Sequence, residues 1–354
     1  MGESGLQYCK IIVLKSGESV GDGVSVSVLV TGGAGYIGSH TVLSLIDSGY
    51  SVVVLDNLST GSRNLVPNCA PLVVGDVEDT DLVIDVIRKY DCQAVLHFAG
   101  SIIVPESVEY PIKYYCNNTV NSLKLIRCCV AEGVDNFVFS STAAVYGNAT
   151  HGIVSEQTET IPISPYGTSK LMTEWMLRDI SKAENLRYAC LRYFNVAGAD
   201  PFGRSGQVGP QTSHLIRVGC EYLLGKRPSM SIFGNNYPTH DGTCVRDFIH
   251  VSDLANAHLL ALNYLIKEQN NITLNCGYGH GVSVEEIVSV LKKFSNRELE
   301  FTYLDRRKGD PATLVANSNK IREILGWKPR YDNIEEIVST ALEWEKSQYP
   351  QSIM

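Results

Sequence analysis

Thr31-Gly-Gly-Ala-Gly-Tyr-Ile-Gly38 follows the apolar run Val28-Leu-Val30, and the fold is read from this junction. Glycines at 32, 35 and 38 remove side chains where a strand passes into a helix, so backbone amides there can approach a phosphate closely. A glycine run alone is weak evidence, because many turns hold two or three glycines. Its surroundings strengthen it. A strand precedes it, a helix is predicted over Tyr36 to Asp47, and Asp56 ends the next apolar run, Val52-Val-Val-Leu55. Asp56 lies eighteen residues past Gly38, where a carboxylate meets ribose hydroxyls in dinucleotide-binding folds. Gly32, Gly35, Tyr36, Ile37 and Gly38 are therefore expected around a pyrophosphate. Asp56 would repel the extra phosphate of NADP and Asn57 would not attract it, so NAD is the expected cofactor. Arg63 in the following loop keeps NADP open.

Outward from this junction, short apolar runs alternate with helical segments: Leu72-Val-Val74, Ala94-Val-Leu-His-Phe98, Phe137-Val-Phe139 and Ala189-Cys-Leu-Arg192. Continuous apolar strands separated by helices predict a parallel sheet covered on both faces. The fold class is thus α/β, a doubly wound Rossmann-type sheet with a smaller C-terminal α/β substrate domain. Residues 26–196 are expected to form the cofactor domain, with 243–265 returning to it, and 197–242 and 266–348 the second domain. Residues 1–25 fit neither; Ile11-Ile-Val-Leu14 reads as an edge strand and Gly21 and Gly23 as linker. Gly75-Asp76-Val77 and Phe98-Ala99-Gly100 fall at successive strand ends, where ligands bind in such sheets. Later helices are marked by the capping box Ser283-Val-Glu-Glu286, by Gly326 after Leu325, and by the stripe Ile337, Val338, Ala341 and Leu342.

Tyr166 and Lys170 stand four apart in a segment of helical character running to Ala183, so they share one face. An ammonium there favours a phenolate. Bringing a phenol towards neutrality takes about 3 pK units, roughly 4 kcal/mol, which Lys170 and a positively charged nicotinamide could supply. The strand before this segment ends in hydroxyls, Phe139-Ser-Ser-Thr142, and Thr142 is placed to hydrogen-bond a substrate oxygen. A second pair, Tyr222 and Lys226, lacks such a strand and is expected to be a partly exposed helix end. No metal site is predicted: His250 and His258 read as packing and capping residues, and His97 as a buried, hydrogen-bonded histidine.

Composition limits the remaining choices. A net charge of -8 over 354 residues gives no basic field for a phosphate backbone, which argues against nucleic acid. A hydrophobic fraction of 44% fits a full core and excludes disorder. Ten cysteines without a C-x-x-C pair read as buried thiols. No apolar stretch reaches membrane-spanning length, so a soluble, cytoplasmic protein is expected.

With these residues in hand, the chain resembles the extended short-chain dehydrogenase/reductase family, and within it the UDP-hexose 4-epimerases. The similar strings are TGGAGYIGSHT at Thr31, LDNLSTG at Leu55, HFAGSIIVPES at His97, YYCNNT at Tyr114, FSSTAAVYG at Phe139, SPYGTSK at Ser164, RYFNVAGA at Arg192, YPTHDGTCVRDFIHVSDLA at Tyr237 and RRKGDPA at Arg306. The resemblance implies reversible conversion of UDP-galactose to UDP-glucose through a 4-keto sugar, with NAD retained throughout. It implies that Asn57, Leu58, Ser59, Thr60, Gly61, Asp76, Val77, Phe98, Ala99, Gly100, Asn117 and Phe194 join Tyr166 and Lys170 around NAD. It places a UDP-sugar against Thr142, Tyr166, Asn195, Phe233, Arg246, Arg307 and Asp310. It further implies a homodimer formed through the helices of Asn117 to Ala131 and Tyr166 to Ala183. Leu314 falls where the family adjusts the space for an N-acetyl group, so UDP-N-acetylhexosamines stay open as substrates.

A 4,6-dehydratase would need an acid and a base directly after Thr142, where Ala143 and Ala144 stand. A net NAD-dependent oxidoreductase is distinguished by whether NAD returns oxidised after turnover. A non-catalytic nucleotide sensor would have lost Thr142, Tyr166 or Lys170, and all three are present.

Overall fold

The computed structural model describes residues 26–149, 152–209, 214–295, 298–307 and 310–348; the edge strand expected at 11–14 lies outside them. Seven strands form the main sheet: β1 (Ser27–Thr31), β2 (Ser51–Asp56), β3 (Leu72–Val74), β4 (Cys92–His97), β5 (Asn136–Ser140), β7 (Arg187–Tyr193) and β12 (Ile272–Cys276). Their order is β12-β7-β5-β4-β1-β2-β3, and every neighbouring pair is parallel. Alternation of side chains between two covered faces explains why the strands are largely apolar. Val28 and Val30 of β1 pack into the core on one face, Leu29 into the core on the other.

Helices cover both faces. On one, α1 (Tyr36–Asp47) packs against α8 (Val251–Glu268); on the other, α2 (Thr80–Lys89), α5 (Asn121–Ala131) and α6 (Pro165–Ala183) lie side by side. The short α3 (Val104–Glu109) and α4 (Pro111–Tyr114) lead into α5 through Tyr115–Val120, which is wound as a π-helix. Because the chain runs outward from β1 to β3 and then returns to β4 on the other side of β1, a crevice opens at the carboxyl ends of β1 and β4.

A smaller four-stranded sheet has the order β13-β10-β15-β6, from β6 (Ile153–Val154), β10 (Val245–Arg246), β13 (Val282–Ser283) and β15 (Thr313–Ala316). Two further pairs complete the strands among the described residues: β8 (Asn195–Ala197) with β11 (Phe248–His250), and β9 (Met230–Phe233) with β14 (Phe301–Leu304). The helices here are α7 (Leu215–Leu223), α9 (Val284–Lys293), α10 (Asn319–Leu325) and α11 (Ile334–Ser347). Ser283 and Glu286 form the reciprocal capping box at α9. Gly326 ends α10 in the left-handed conformation at φ 61°.

Three expectations need correction. Ile272–Cys276, assigned to the second domain, is an edge strand of the main sheet, because α8 carries the chain back over that sheet and delivers it beside β7. Ile153–Val154, counted with the first, pairs instead with β15 of the smaller sheet. Tyr222 is buried rather than partly exposed. Its hydroxyl donates to the Glu300 carbonyl at 2.9 Å, and Lys226 pairs with Glu345 at 2.7 Å.

Candidate active site

The glycines build the floor of the crevice. Gly32 has φ +72°, and a Cβ there would lie 2.6 Å from the Ala99 amide nitrogen. A Cβ on Gly38 would lie 2.2 Å from the Gly32 carbonyl oxygen, so the first turn of α1 rests directly on the loop. Gly35 occupies the N-cap, and no side chain caps that end of α1. Tyr36 and Ile37, the first two residues of α1, thus stand where a helix end offers amides and partial positive charge to an anion. The Tyr36 hydroxyl points elsewhere and donates to the Gly198 carbonyl at 2.6 Å.

Asp56 ends β2 and is buried. Its two oxygens accept from the amides of Ala34 at 2.9 Å and Leu58 at 2.8 Å, which fixes the carboxylate beside the loop with further lone pairs available. Leu58 has a positive φ of 57°, and Ser59 and Thr60 follow at the exposed rim, with Gly61 against Ala34. Asn57 donates to Asp76 at 2.7 Å, which brings the ends of β2 and β3 together. Val77 turns its side chain into the core. Phe98 and Ala99 hang from the Thr31 carbonyl by their amides at 2.9 and 3.1 Å, so the β4 end abuts the glycine loop.

Tyr166 and Lys170 lie buried on one face of α6, whose first turn is capped by Ser164. Lys170 Nζ donates to the Ser140 carbonyl at 3.0 Å and sits 4.9 Å from the centre of the Phe139 ring. Burial pulls its pKa down to about 8. The Thr142 hydroxyl accepts from the Ala144 amide at 3.1 Å in the turn that follows and lies near enough to the Tyr166 phenol to favour its ionised form. The lowered Tyr166 pKa expected from the sequence drew on Lys170 together with a positively charged nicotinamide; in the protein alone the phenol stands above its ordinary value. Burial raises it most, the neighbouring phenols of Tyr193 and Tyr114 add to the rise, and Thr142 opposes part of it.

Asn117 stands at the edge of this group and donates to Ser101 Oγ at 2.9 Å. Its neighbour Asn118 escaped the sequence reading. Asn118 is buried, accepts from the Ser101 amide at 2.7 Å, and donates to the Ser101 carbonyl at 2.9 Å and to Ser169 Oγ at 3.1 Å. The only signal in the sequence was two adjacent asparagines in an otherwise helical run. Phe194 is buried in an apolar cluster with Leu171, Val145 and Ala316.

The residues expected to grip a nucleotide sugar gather at the smaller sheet. Arg246 on β10 faces Asp310 at 3.8 Å, and the Arg307 guanidinium stacks 3.8 Å from the centre of the Phe233 ring. Asn195 is tied to the same place, since its amide donates to the Asp247 carbonyl at 2.9 Å. Asp247 was not singled out from sequence. Its buried carboxylate accepts from the amides of Tyr278, Gly279 and Ala316, pinning two chain segments behind Arg246.

A glycine cradle at the first strand of a doubly wound sheet, an acid at the second, and a buried Tyr-Lys pair with a hydroxyl opposite define a dinucleotide-dependent oxidoreductase type of site. The cradle and Asp56 fit NAD. Residues 28–277 match the NAD dependent epimerase/dehydratase family, and the chain belongs to that family. The UDP-glucose 4-epimerase of Azospirillum brasilense is 54% identical over 320 residues, 90% of this chain and 92% of its own length. Among solved structures, the UDP-glucose 4-epimerase from Brucella ovis in complex with NAD is 41% identical with a TM-score of 0.87, covering 90% of this chain and 98% of the other. The Thermotoga maritima UDP-glucose 4-epimerase with UDP-glucose is 33% identical with a TM-score of 0.80, covering 91% and 99%. No helix among the described residues is long and apolar enough to cross a membrane.

Proposed function

We infer that this protein is an NAD-dependent isomerase that interconverts UDP-galactose and UDP-glucose by epimerisation at C4. One observation carries the reading: Thr142, Tyr166 and Lys170 are buried together at the strand ends that border the glycine cradle. Bound NAD would supply the hydride acceptor and a positive ring that offsets the cost of charging a buried phenol. Tyr166 takes the proton from the sugar 4-hydroxyl and returns it after the 4-keto sugar has presented its other face. Thr142 holds the same oxygen in line, and Lys170 keeps positive charge beside the phenol with no carboxylate among the described residues to cancel it.

Arg246 and Arg307 would grip the diphosphate, since a guanidinium matches an oxyanion in two contacts. Asn195, Phe233 and Asp310 complete the grip on the nucleotide, while the hexose is held more loosely so that it can turn over. The protein works as a cytoplasmic homodimer in this reading. Exposed apolar residues on α4, the π-turn, α5 and α6, namely Ile112, Val120, Leu123 and Trp175, support a partner surface there.

Incubating purified protein with UDP-galactose and following the sugar by NMR tests the function. The expected outcome is a mixture with UDP-glucose and no accumulation of free NADH. Unchanged substrate overturns it, and stoichiometric release of NADH would replace it with a net oxidoreductase. Light scattering on the NAD-loaded protein tests the dimer.

A further inference from the structure

Thr31 ends the cradle strand β1, and its register partner on β4 is His97. The buried His97 imidazole stacks on the Phe139 ring and meets the Phe137 ring edge-on, each with its centre 5.9 Å away. A buried imidazole there must have both nitrogens satisfied. They are: Nδ1 is 2.7 Å from Thr31 Oγ1 and Nε2 is 2.8 Å from Ser122 Oγ on α5.

The direction of these bonds follows from what Ser122 does next. Its hydroxyl donates to the Asn118 carbonyl at 2.5 Å, so its oxygen must accept from His97 Nε2–H. Nδ1 is then bare and accepts from the Thr31 hydroxyl. Asn118 passes the chain on through its side-chain amide to Ser169 Oγ at 3.1 Å, and Ser169 donates to the Tyr166 carbonyl at 2.8 Å. Every donor in the series therefore points the same way, from the cradle strand to the helix of Tyr166. Burial and the nearby Lys170 charge push the His97 pKa down to about 3, which keeps the ring in the single neutral form that the series requires. Asn118 also borders the lysine: a Cβ on Gly100 would lie 3.0 Å from Asn118 Oδ1 and 3.9 Å from Lys170 Nζ.

We propose that His97 is a positioning residue of the epimerisation site, which through Ser122 and Asn118 holds the Tyr166–Lys170 helix in register with the cofactor cradle. The proposal rests on the functional reading above and adds to it a residue that touches neither substrate nor cofactor. A filler of the same volume would leave Ser122 and Thr31 without their partner and let α5 settle differently against β4. The bonds from Thr31 through His97 and Ser122 to the Asn118 backbone carbonyl run in one direction and strengthen one another, so breaking one link weakens that run and loosens the hold on Asn118, whose side chain reaches Ser169.

The test compares His97→Leu, Ser122→Ala, the double variant and His97→Gln with the wild type. In each, kcat and KM for UDP-galactose are measured per mole of bound NAD. Each single variant is expected to lose about tenfold or more in kcat with KM little changed, as for other small misplacements of reacting groups. The double variant should be no worse than the weaker single one, because both changes cut the same series. His97→Gln, whose amide can still donate to Ser122, should recover part of the loss. Ser122→Ala changes one atom and keeps the test open if His97→Leu does not fold. Variants with wild-type kcat per bound NAD, or losses that multiply in the double variant, would overturn the proposal. An inactive wild type would remove the functional reading and this proposal together, whereas an active wild type with unaffected variants removes this proposal alone.

Discussion

Lys170 Nζ donates to the Ser140 carbonyl across 3.0 Å and thereby fastens the helix that carries Tyr166 to the carboxyl end of β5. No carboxylate among the described residues pairs with this cation. A buried charge held by a carbonyl and an aromatic face costs stability, and the fold retains it where the chemistry needs positive potential.

Replacing Lys170 with Met should therefore stabilise the fold while removing activity. The folded pKa of about 8 lies below the ordinary lysine value of 10.5, so the unfolded chain holds the proton more tightly. The penalty is complete below pH 8, shrinks as pH rises, and is gone above about 10.5. Denaturation midpoints should show Lys170→Met gaining on the order of 3 kcal/mol at pH 7, with the gap closing at pH 10. An equal gap at both pH values would contradict this account.

Tyr166→Phe removes one oxygen from a buried ring that also packs edge-on to Tyr114 at 6.5 Å. The shape of the site is kept. Activity should fall by about a hundredfold or more, with NAD content and thermal stability close to wild type. A variant that keeps its rate would show that another group moves the proton.

Gly32→Ala should lose NAD before it loses the fold. The new methyl must fit a φ of +72° and a contact 2.6 Å from the Ala99 nitrogen, which together cost about 1 to 3 kcal/mol. Nucleotide released from the denatured protein measures the effect, and full NAD content in the variant would sink it.

Arg246→Ala should raise KM for UDP-galactose about tenfold or more with a smaller change in kcat. The guanidinium is only partly engaged, its ion pair with Asp310 being 3.8 Å long. Steady-state kinetics separate the two parameters. A kcat loss at constant KM would move Arg246 out of the ground-state grip.

Glu174 lies one turn beyond Lys170 and pairs with Arg192 of β7 at 2.6 Å, with both side chains nearly inaccessible. Arg192 also donates to the Tyr146 hydroxyl at 3.0 Å, and Tyr146 donates to Asn275 of β12 at 2.6 Å. Glu174→Ala would leave the guanidinium buried without its counter-charge, so a loss of about 3 to 5 kcal/mol is expected in urea unfolding. A loss near zero would mean that water reaches Arg192.

Local patterns already carried the parallel sheet, the cradle and the Tyr-Lys pair. Strand periodicity, glycine spacing and a four-residue helical interval act between neighbours in the chain, so Thr31 to Gly38 and Tyr166 to Lys170 disclose their geometry without a partner. The tertiary structure alone decided where distant segments meet. His97 lies 66 residues from Thr31 and 25 from Ser122, and Asp247 gathers amides 31, 32 and 69 residues away. Such bonds depend on how β4, α5 and β15 are brought together, and no periodicity along the chain records that. The pKa of Tyr166 belongs to the same class. Its helical spacing from Lys170 led to a lowered value with a positively charged nicotinamide beside it, whereas the depth at which α6 buries the phenol sets the rise that these charges must offset, because desolvation is a property of the packed surroundings rather than of the adjacent residues.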